Sequence, residues 1–150
     1  MSYLEESRAQ PLRVNFPQFQ ERAPWFGGDL QTLRNFFARR MGRGPGVLPG
    51  EQLKLPLSDG GKLAARLTEG EPNMPLAVVI HGLTGCETAT NVVVAAQHLN
   101  GLGYSVLRIN LRGAGPSAGL AKGHYHAGRT QDLYDGLSSL DPVLMRGGMI

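Results

Sequence analysis

The sequence lacks several features that would assign it to a particular class of protein. It contains one cysteine, Cys86, so no disulfide can form within the chain, and this usage is typical of a reducing compartment. No stretch approaches the roughly 20 apolar residues that a membrane span requires. The first residues, Met1 to Glu6, are acidic and lack an apolar core, so we expect no signal peptide. These absences predict a soluble, cytoplasmic protein.

Charge is also low. Only 18% of the residues are charged and the formal net charge is +3, which is too small to indicate a nucleic-acid partner without a basic face or motif. The hydrophobic content of 41% is that of a globular protein, and the 21 glycines fit tight loops better than disorder because the apolar segments are well formed.

A strand that leads into a glycine-rich loop is the strongest local pattern. Leu76–Ile80 are five consecutive apolar residues, three of them β-branched, and they follow Pro75. A short apolar run bounded by breakers predicts a strand buried on both faces, as in α/β sheets. The loop His81–Gly85 then lies at the carboxyl end of that strand, where α/β proteins bind ligands.

A hairpin is predicted before this strand. Gln52–Leu57 alternates apolar and polar residues, Asp59–Gly61 supplies a turn, and Lys62–Leu67 returns as the antiparallel partner. Pro56 places the first strand at a sheet edge or at its own end, because proline cannot donate to a ladder.

After the loop, a helix is predicted over Asn91–Leu102 and a second buried strand over Tyr104–Leu111, which together give a right-handed parallel crossover. The apolar face of this helix comprises Val92, Val93, Ala95, Ala96, Leu99 and Leu102. Thr130 is predicted to cap a further helix that ends at Asp141-Pro142, with a stripe of Leu133, Tyr134, Leu137 and Leu140.

The sequence also predicts how the two ends of the chain are organised. Residues 1–24 are polar and predict an arm over the surface, whereas residues 25–150 predict a partial α/β domain. Gly147–Ile150 resembles the start of another strand, so we expect the N-terminal part of a longer protein.

A helix is predicted from Gly28, with Asp29 as its N-cap. Its apolar residues recur at helical spacing and are Leu30, Leu33, Phe36 and Phe37. The preferred interpretation is a core-facing stripe. The alternative is a helix on a membrane surface, because Trp25 lies nearby and Arg34, Arg39 and Arg40 occupy other positions.

Four motifs in a fixed order carry a family resemblance. They are Gly27-Gly28-Asp29-Leu30-Gln31-Thr32-Leu33, His81-Gly82-Leu83-Thr84-Gly85, Asn110-Leu111-Arg112-Gly113, and Tyr125-His126-Ala127-Gly128-Arg129-Thr130-x-Asp132-Leu133. The chain resembles the YheT-type α/β-hydrolases, also called the AB hydrolase 4 family, over about residues 24–150. The resemblance implies the N-terminal part of an α/β-hydrolase fold: an antiparallel hairpin and a mostly parallel sheet flanked by helices, truncated before the nucleophile elbow.

The resemblance also implies a chemistry, the hydrolysis of carboxylic esters by a Ser-Asp-His triad. The nucleophile follows the fifth strand in Gly-x-Ser-x-Gly, so all three catalytic residues are expected beyond Ile150. This chain would supply the amide of Leu83 to the oxyanion hole, with Gly82 allowing close approach and with His81 and Thr84 against the substrate. No metal or organic cofactor is implied. The expected substrate is a small ester or lipid-like molecule, and the chain alone is expected to be inactive.

Two positions depart from the family pattern. Many relatives have histidine in place of Asp29 and an acidic residue in place of Arg129. Neither belongs to the triad, so these departures bear on substrate preference.

Gly115–Gly119 satisfies Gly-x-Ser-x-Gly literally, and its Ser117 could be combined with His124, His126 and Asp132 into an apparent triad. An elbow needs a strand that runs straight into the first glycine and a helix that starts at the serine, and neither is predicted here. His124 and His126 lack further metal ligands nearby. Two other functions remain open: a nucleotide-binding α/β domain that uses the glycine-rich loops, and a non-enzymatic module whose exposed sheet edge binds a partner.

Overall fold

A computed structural model of the chain describes residues 48–150 throughout and, before them, residues 17, 18, 20, 21, 23, 24, 26–30, 33, 34, 37, 41, 42, 45 and 46. The strands and helices of residues 48–150 are, in order, β1 (Glu51–Pro56), β2 (Lys62–Thr68), β3 (Leu76–Ile80), α1 (Thr90–Gly101), β4 (Ser105–Ile109) and α2 (Thr130–Ser138). Short 3-10 turns cover Gly115–Ser117 and Pro142–Met145.

The strands form one mixed sheet in the order β1-β2-β4-β3. β1 and β4 both pair antiparallel with β2, whereas β3 and β4 pair in parallel, as predicted for a strand-helix-strand crossover. The predicted hairpin turn closes with Gly60 at a φ of 81° and the amide of Gly61 donating to Asp59 Oδ1 at 3.0 Å. Pro56 is the last residue of an edge strand, so the predicted α/β class and the predicted position of Pro56 are both confirmed.

Successive strand residues point to opposite faces of the sheet, and one helix covers each face. On one face Leu107 and Ile109 join the larger core, against which Leu133 and Leu137 of α2 pack. On the other face a smaller cluster forms, in which Ala96 of α1 packs with Ala77 of β3 and Val106 of β4. The apolar alternation of the strands therefore decides which helix lies where.

The chain adds the start of another strand beside β3. Met149 bridges Leu76 in parallel, and the amide of Ile150 donates to the carbonyl of Leu76 at 3.0 Å. A Cβ at Gly147 would lie 2.4 Å from the carbonyl oxygen of Asn73, so only glycine fits where this segment approaches the sheet. The prediction of a strand start over Gly147–Ile150 is therefore confirmed only for the pairing around Met149, since Gly147 lies in a turn.

Several details of the sequence-based prediction are wrong. Leu102 and Tyr134 were placed on apolar helix faces but are exposed. The predicted cap Thr130 is the first residue of α2, and Arg129 precedes it without a side-chain capping bond. Ile80 is exposed at the end of β3, so that strand is buried on both faces only over its first part.

The predicted basic helix is described only in part. Residues 28–30, 33, 34 and 37 are helical, which places Asp29 inside the helix and not at its N-cap. Phe36, Trp25, Arg39 and Arg40 lie outside the described residues. Leu30, Leu33 and Phe37 are exposed, so these three side chains do not form the core-facing stripe that was preferred. No helix among the described residues is long and apolar enough to cross a membrane.

A buried arginine joins the loop after β4 to the rest of the fold. The side chain of Arg112 is 1% exposed and binds both carboxylate oxygens of Asp132 in α2, at 2.8 and 2.7 Å. Its remaining Nη1 group donates to the carbonyl of Lys122 at 3.1 Å and contacts Asp59 at 2.8 Å. Hydrogen bonds to these two carboxylates raise the pKa of Arg112, and the guanidinium lowers the pKa of Asp59. Arg112 therefore stays charged and links a turn, a loop and a helix.

We expect Asp132→Asn to lower the free energy of unfolding by about 3 kcal/mol, because it leaves the buried guanidinium with the half-exposed Asp59 as its remaining opposite charge. The matched control is Asp59→Asn, whose side chain is 51% exposed, so its loss should be much smaller. Urea unfolding followed by circular dichroism measures both. Equal losses in the two variants would contradict the central role of the Arg112–Asp132 pair.

Candidate active site

The parallel pairing of β3 and β4 brings two of the sequence motifs together at the carboxyl ends of these strands. His81–Gly85 follows β3 and Asn110–Gly113 follows β4. The amide of Leu111 donates to Nε2 of His81 at 3.0 Å, which joins the two loops directly.

The histidine of the first loop is a supporting group. The His81 side chain is buried, with 4% of its residue surface exposed. Since Nε2 accepts from Leu111, the ring hydrogen is assigned to Nδ1, which donates to the carbonyl of Gly82 at 2.8 Å. Both ring nitrogens are therefore occupied by protein groups.

The second half of the loop is a tight turn in an unusual conformation. The amide of Gly85 donates to the carbonyl of Gly82 at 3.0 Å. Thr84 has a φ of 58°, a left-handed value that is rare for a β-branched residue and costs about 1–3 kcal/mol. Its amide donates to the hydroxyl of Tyr125 at 2.7 Å. The Tyr125 ring stands edge-on to the His81 ring, with centroids 5.5 Å apart and planes at 85°.

Leu83 lies between these anchored residues. Its residue surface is 86% exposed, and its amide donates to no acceptor in the described part of the chain. A Cβ at Gly82 would meet no described atom within 4 Å, so packing among the described residues does not require glycine there. The expected role of Gly82, to allow the close approach of a bound molecule, stays a prediction.

The apparent nucleophile Ser117 is a structural residue. It is fully buried, its hydroxyl donates to the carbonyl of Asn110 at 2.7 Å, and it accepts from the amide of Ala64 at 2.8 Å. It ends a 3-10 turn and does not follow a strand directly. This agrees with the expectation that the Gly115–Gly119 motif is not an elbow.

The other candidate groups also have ordinary roles. Nδ1 of His126 accepts from the amide of Gly128 at 3.2 Å, and His126 is exposed. The Cys86 thiol lies 3.2 Å from the hydroxyl of Thr88. Within the described residues no group of three or more histidine, cysteine, aspartate or glutamate side chains could hold a metal ion.

Sequence reasoning missed the contacts that hold the site together. Asn110 accepts from the amide of Glu87 at 2.8 Å and donates to the Glu87 carboxylate at 3.2 Å. The amide of Tyr125 donates to the carbonyl of Arg112 at 3.0 Å. A polar residue within an apolar segment, such as Asn110 between Ile109 and Leu111, indicates a buried hydrogen bond. The local sequence does not indicate that its partner is Glu87.

Comparison with solved structures gives the class of fold. A serine α/β-hydrolase homologue from Coxiella burnetii matches with a TM-score of 0.53 and 23% identity, over 70% of this chain and 51% of that one. A protein of unknown function from Agrobacterium tumefaciens, described as a candidate α/β-hydrolase, matches with a TM-score of 0.54 and 20% identity, over 65% of this chain and 45% of that one. No family model and no curated protein matches the chain.

The chain therefore has the α/β-hydrolase fold. It is also similar to an esterase of Pyrococcus furiosus, with a TM-score of 0.52 and 19% identity, over 63% of this chain and 39% of that one. The chain spans about half the length, or less, of these three proteins.

We expect Ser117→Ala to destabilise the fold by about 2 kcal/mol, because it leaves the buried Ala64 amide and Asn110 carbonyl without a partner. The control Ser138→Ala removes an exposed hydroxyl and should change little. Urea unfolding measures the loss. A Ser117→Ala variant of unchanged stability that loses labelling by a serine-reactive fluorophosphonate would contradict the structural role.

Proposed function

We propose that this chain is the oxyanion-binding half of a serine hydrolase that acts on carboxylic esters, of the YheT-like family. The observation that carries the proposal is the amide of Leu83, which bonds to no acceptor among the described residues and lies between anchored residues at the carboxyl end of β3. In the proposed division of the chain, residues 25–150 are the partial hydrolase domain and residues 1–24 an arm.

The chemistry follows from where charge develops. Attack on an ester carbonyl places negative charge on one oxygen, and an amide fixed beforehand stabilises that charge without reorganising. In α/β-hydrolases one donor comes from the loop after the third strand and the other follows the nucleophile. We assign the first donor to Leu83. Because both nitrogens of His81 are bonded to protein groups, we assign His81 to supporting the loop and leave contact with substrate to the exposed Thr84 and Leu83.

No described serine has the surroundings of a nucleophile. Ser117 is buried, and the hydroxyl of Ser105 accepts from the amide of Gly70 at 3.1 Å, whereas that of Ser139 donates to Gly136 at 2.7 Å. The other two described serines, Ser58 and Ser138, are exposed, and no hydrogen bond among the described residues joins a serine hydroxyl to a histidine. We therefore propose that residues 1–150 alone hydrolyse no ester. We also propose that the catalytic triad is supplied by sequence after Ile150.

The proposed substrate is a small ester or lipid-like molecule. The exposed, apolar side chain of Leu83 borders the amide that would hold the oxyanion, which suits an apolar acyl or alcohol group. We propose that the protein is cytoplasmic, because it contains a single cysteine and such low cysteine usage is typical of a reducing compartment. The nucleotide-binding alternative is less favoured, because Gly115 is required by packing: a Cβ there would lie 2.7 Å from Cβ of Cys86.

The direct test compares residues 1–150 with the product of the full reading frame. We expect a fluorophosphonate probe to label only the longer product, which should also hydrolyse p-nitrophenyl esters. Failure of the longer product to react with both reagents would refute the proposal. Labelling of the 150-residue chain would refute its predicted inactivity.

The oxyanion assignment has a sharper test in the longer product. Leu83→Pro removes the amide hydrogen and should lower kcat/KM by about 10²–10³-fold. The control Leu83→Ala keeps the amide, so kcat should change only a few-fold. Thermal unfolding of both variants checks that the fold is retained. Equal activity of the folded proline and alanine variants would show that the Leu83 amide is not a donor.

A further inference from the structure

We propose that Tyr125 is a positioning residue for this site: its hydroxyl holds Thr84 in the left-handed conformation and thereby orients the amide of Leu83. The catalytic meaning of this inference rests on the proposed function, but the contact itself can be tested without it.

The residue before Leu83 is held by hydrogen bonds within the loop, which we call the internal anchors. The residue after Leu83 is held by a hydrogen bond to Tyr125, outside the loop, which we call the external anchor. The carbonyl of Gly82 accepts from both Nδ1 of His81 and the amide of Gly85, at 2.8 and 3.0 Å. These bonds close the turn but do not attach its outer residue to the rest of the protein. The hydroxyl of Tyr125 does so, by accepting from the amide of Thr84 at 2.7 Å.

The conformation of Thr84 gives this external anchor a specific role, in addition to the bond from Gly85 to Gly82 that closes the turn. A β-branched residue at a φ of 58° is strained, so the loop needs an interaction that exists only in this conformation. The peptide group that follows Leu83 carries the bonded amide of Thr84. Release of that amide would let Thr84 return to an ordinary φ, which would draw the Gly85 amide away from the Gly82 carbonyl. That carbonyl and the Leu83 amide belong to one planar peptide group, so the Leu83 amide would lose one of the two bonds that orient it.

Tyr125 is itself held in place by the second loop. Its amide donates to the carbonyl of Arg112 at 3.0 Å, and Arg112 is bound by both oxygens of Asp132. Its ring stands edge-on to His81, a contact that does not depend on the hydroxyl. A Phe at this position therefore keeps the ring contact and removes only the bond to Thr84.

The first experiment measures amide hydrogen exchange by NMR in residues 1–150. In Tyr125→Phe the amide of Thr84 should exchange about tenfold faster, the effect of losing one hydrogen bond, and the amide shift of Leu83 should change. The amide of Tyr125 should keep its protection, which shows that the second loop is intact. The matched control is Tyr134→Phe, an exposed tyrosine of α2. Unchanged exchange at Thr84 in Tyr125→Phe would overturn the proposal.

A second variant separates positioning from a general structural role. Glycine adopts a left-handed φ without strain, so Thr84→Gly added to Tyr125→Phe should return the Leu83 amide shift toward its original value. No return would overturn the link between strain and orientation.

In the full reading-frame product, Tyr125→Phe should lower kcat about ten- to a hundredfold with KM little changed. A wild-type product without esterase activity would refute the proposed function and not the contact. An active product whose kcat is unaffected by Tyr125→Phe would refute the positioning role.

Discussion

The guanidinium of Arg112 is a permanent positive charge in a nearly inaccessible position, and the segments around it are arranged to satisfy it. Asp132 in α2 supplies two carboxylate oxygens, Lys122 supplies a carbonyl, and Asp59 brings the β1–β2 turn to the same group. A buried charge without these partners would cost several kcal/mol. These contacts consequently hold the segment between β4 and α2 in one conformation, although it contains little regular secondary structure.

That path determines the candidate site. Because the backbone of Arg112 accepts from Tyr125, the position of the tyrosine depends on the same ion pair that fixes the loop. Tyr125 then reaches the turn after β3, while the amide of Leu111 reaches His81. Three of the four motifs that carry the family resemblance are thus linked by direct hydrogen bonds. These three motifs, which lie apart along the chain, form one connected structure around the end of β3.

Local sequence could predict the elements but not these links. β3 was predicted with its observed bounds because Pro75 and the glycines after His81 delimit five apolar residues. The starts of α1 and α2 were less predictable, since Ala89 and Arg129 precede them without side-chain capping bonds. Asp132 looks like a solvent-facing helical residue until Arg112, 20 residues earlier, is placed against it. The donor role proposed for Leu83 rests on the family resemblance, because an amide without an acceptor has no signature in the side-chain sequence.

The pentapeptide Gly115–Gly119 shows how packing can reproduce a functional signature. A side chain at Gly115 would collide with Cys86 and Asn110, so glycine is required there by steric fit. Ser117 is required by two buried backbone groups that need a small donor and acceptor. Steric fit and buried hydrogen bonds therefore account for Gly115 and Ser117 without any catalytic role. A survey that counts the pentapeptide would assign this chain a catalytic serine at a buried residue that holds two backbone groups.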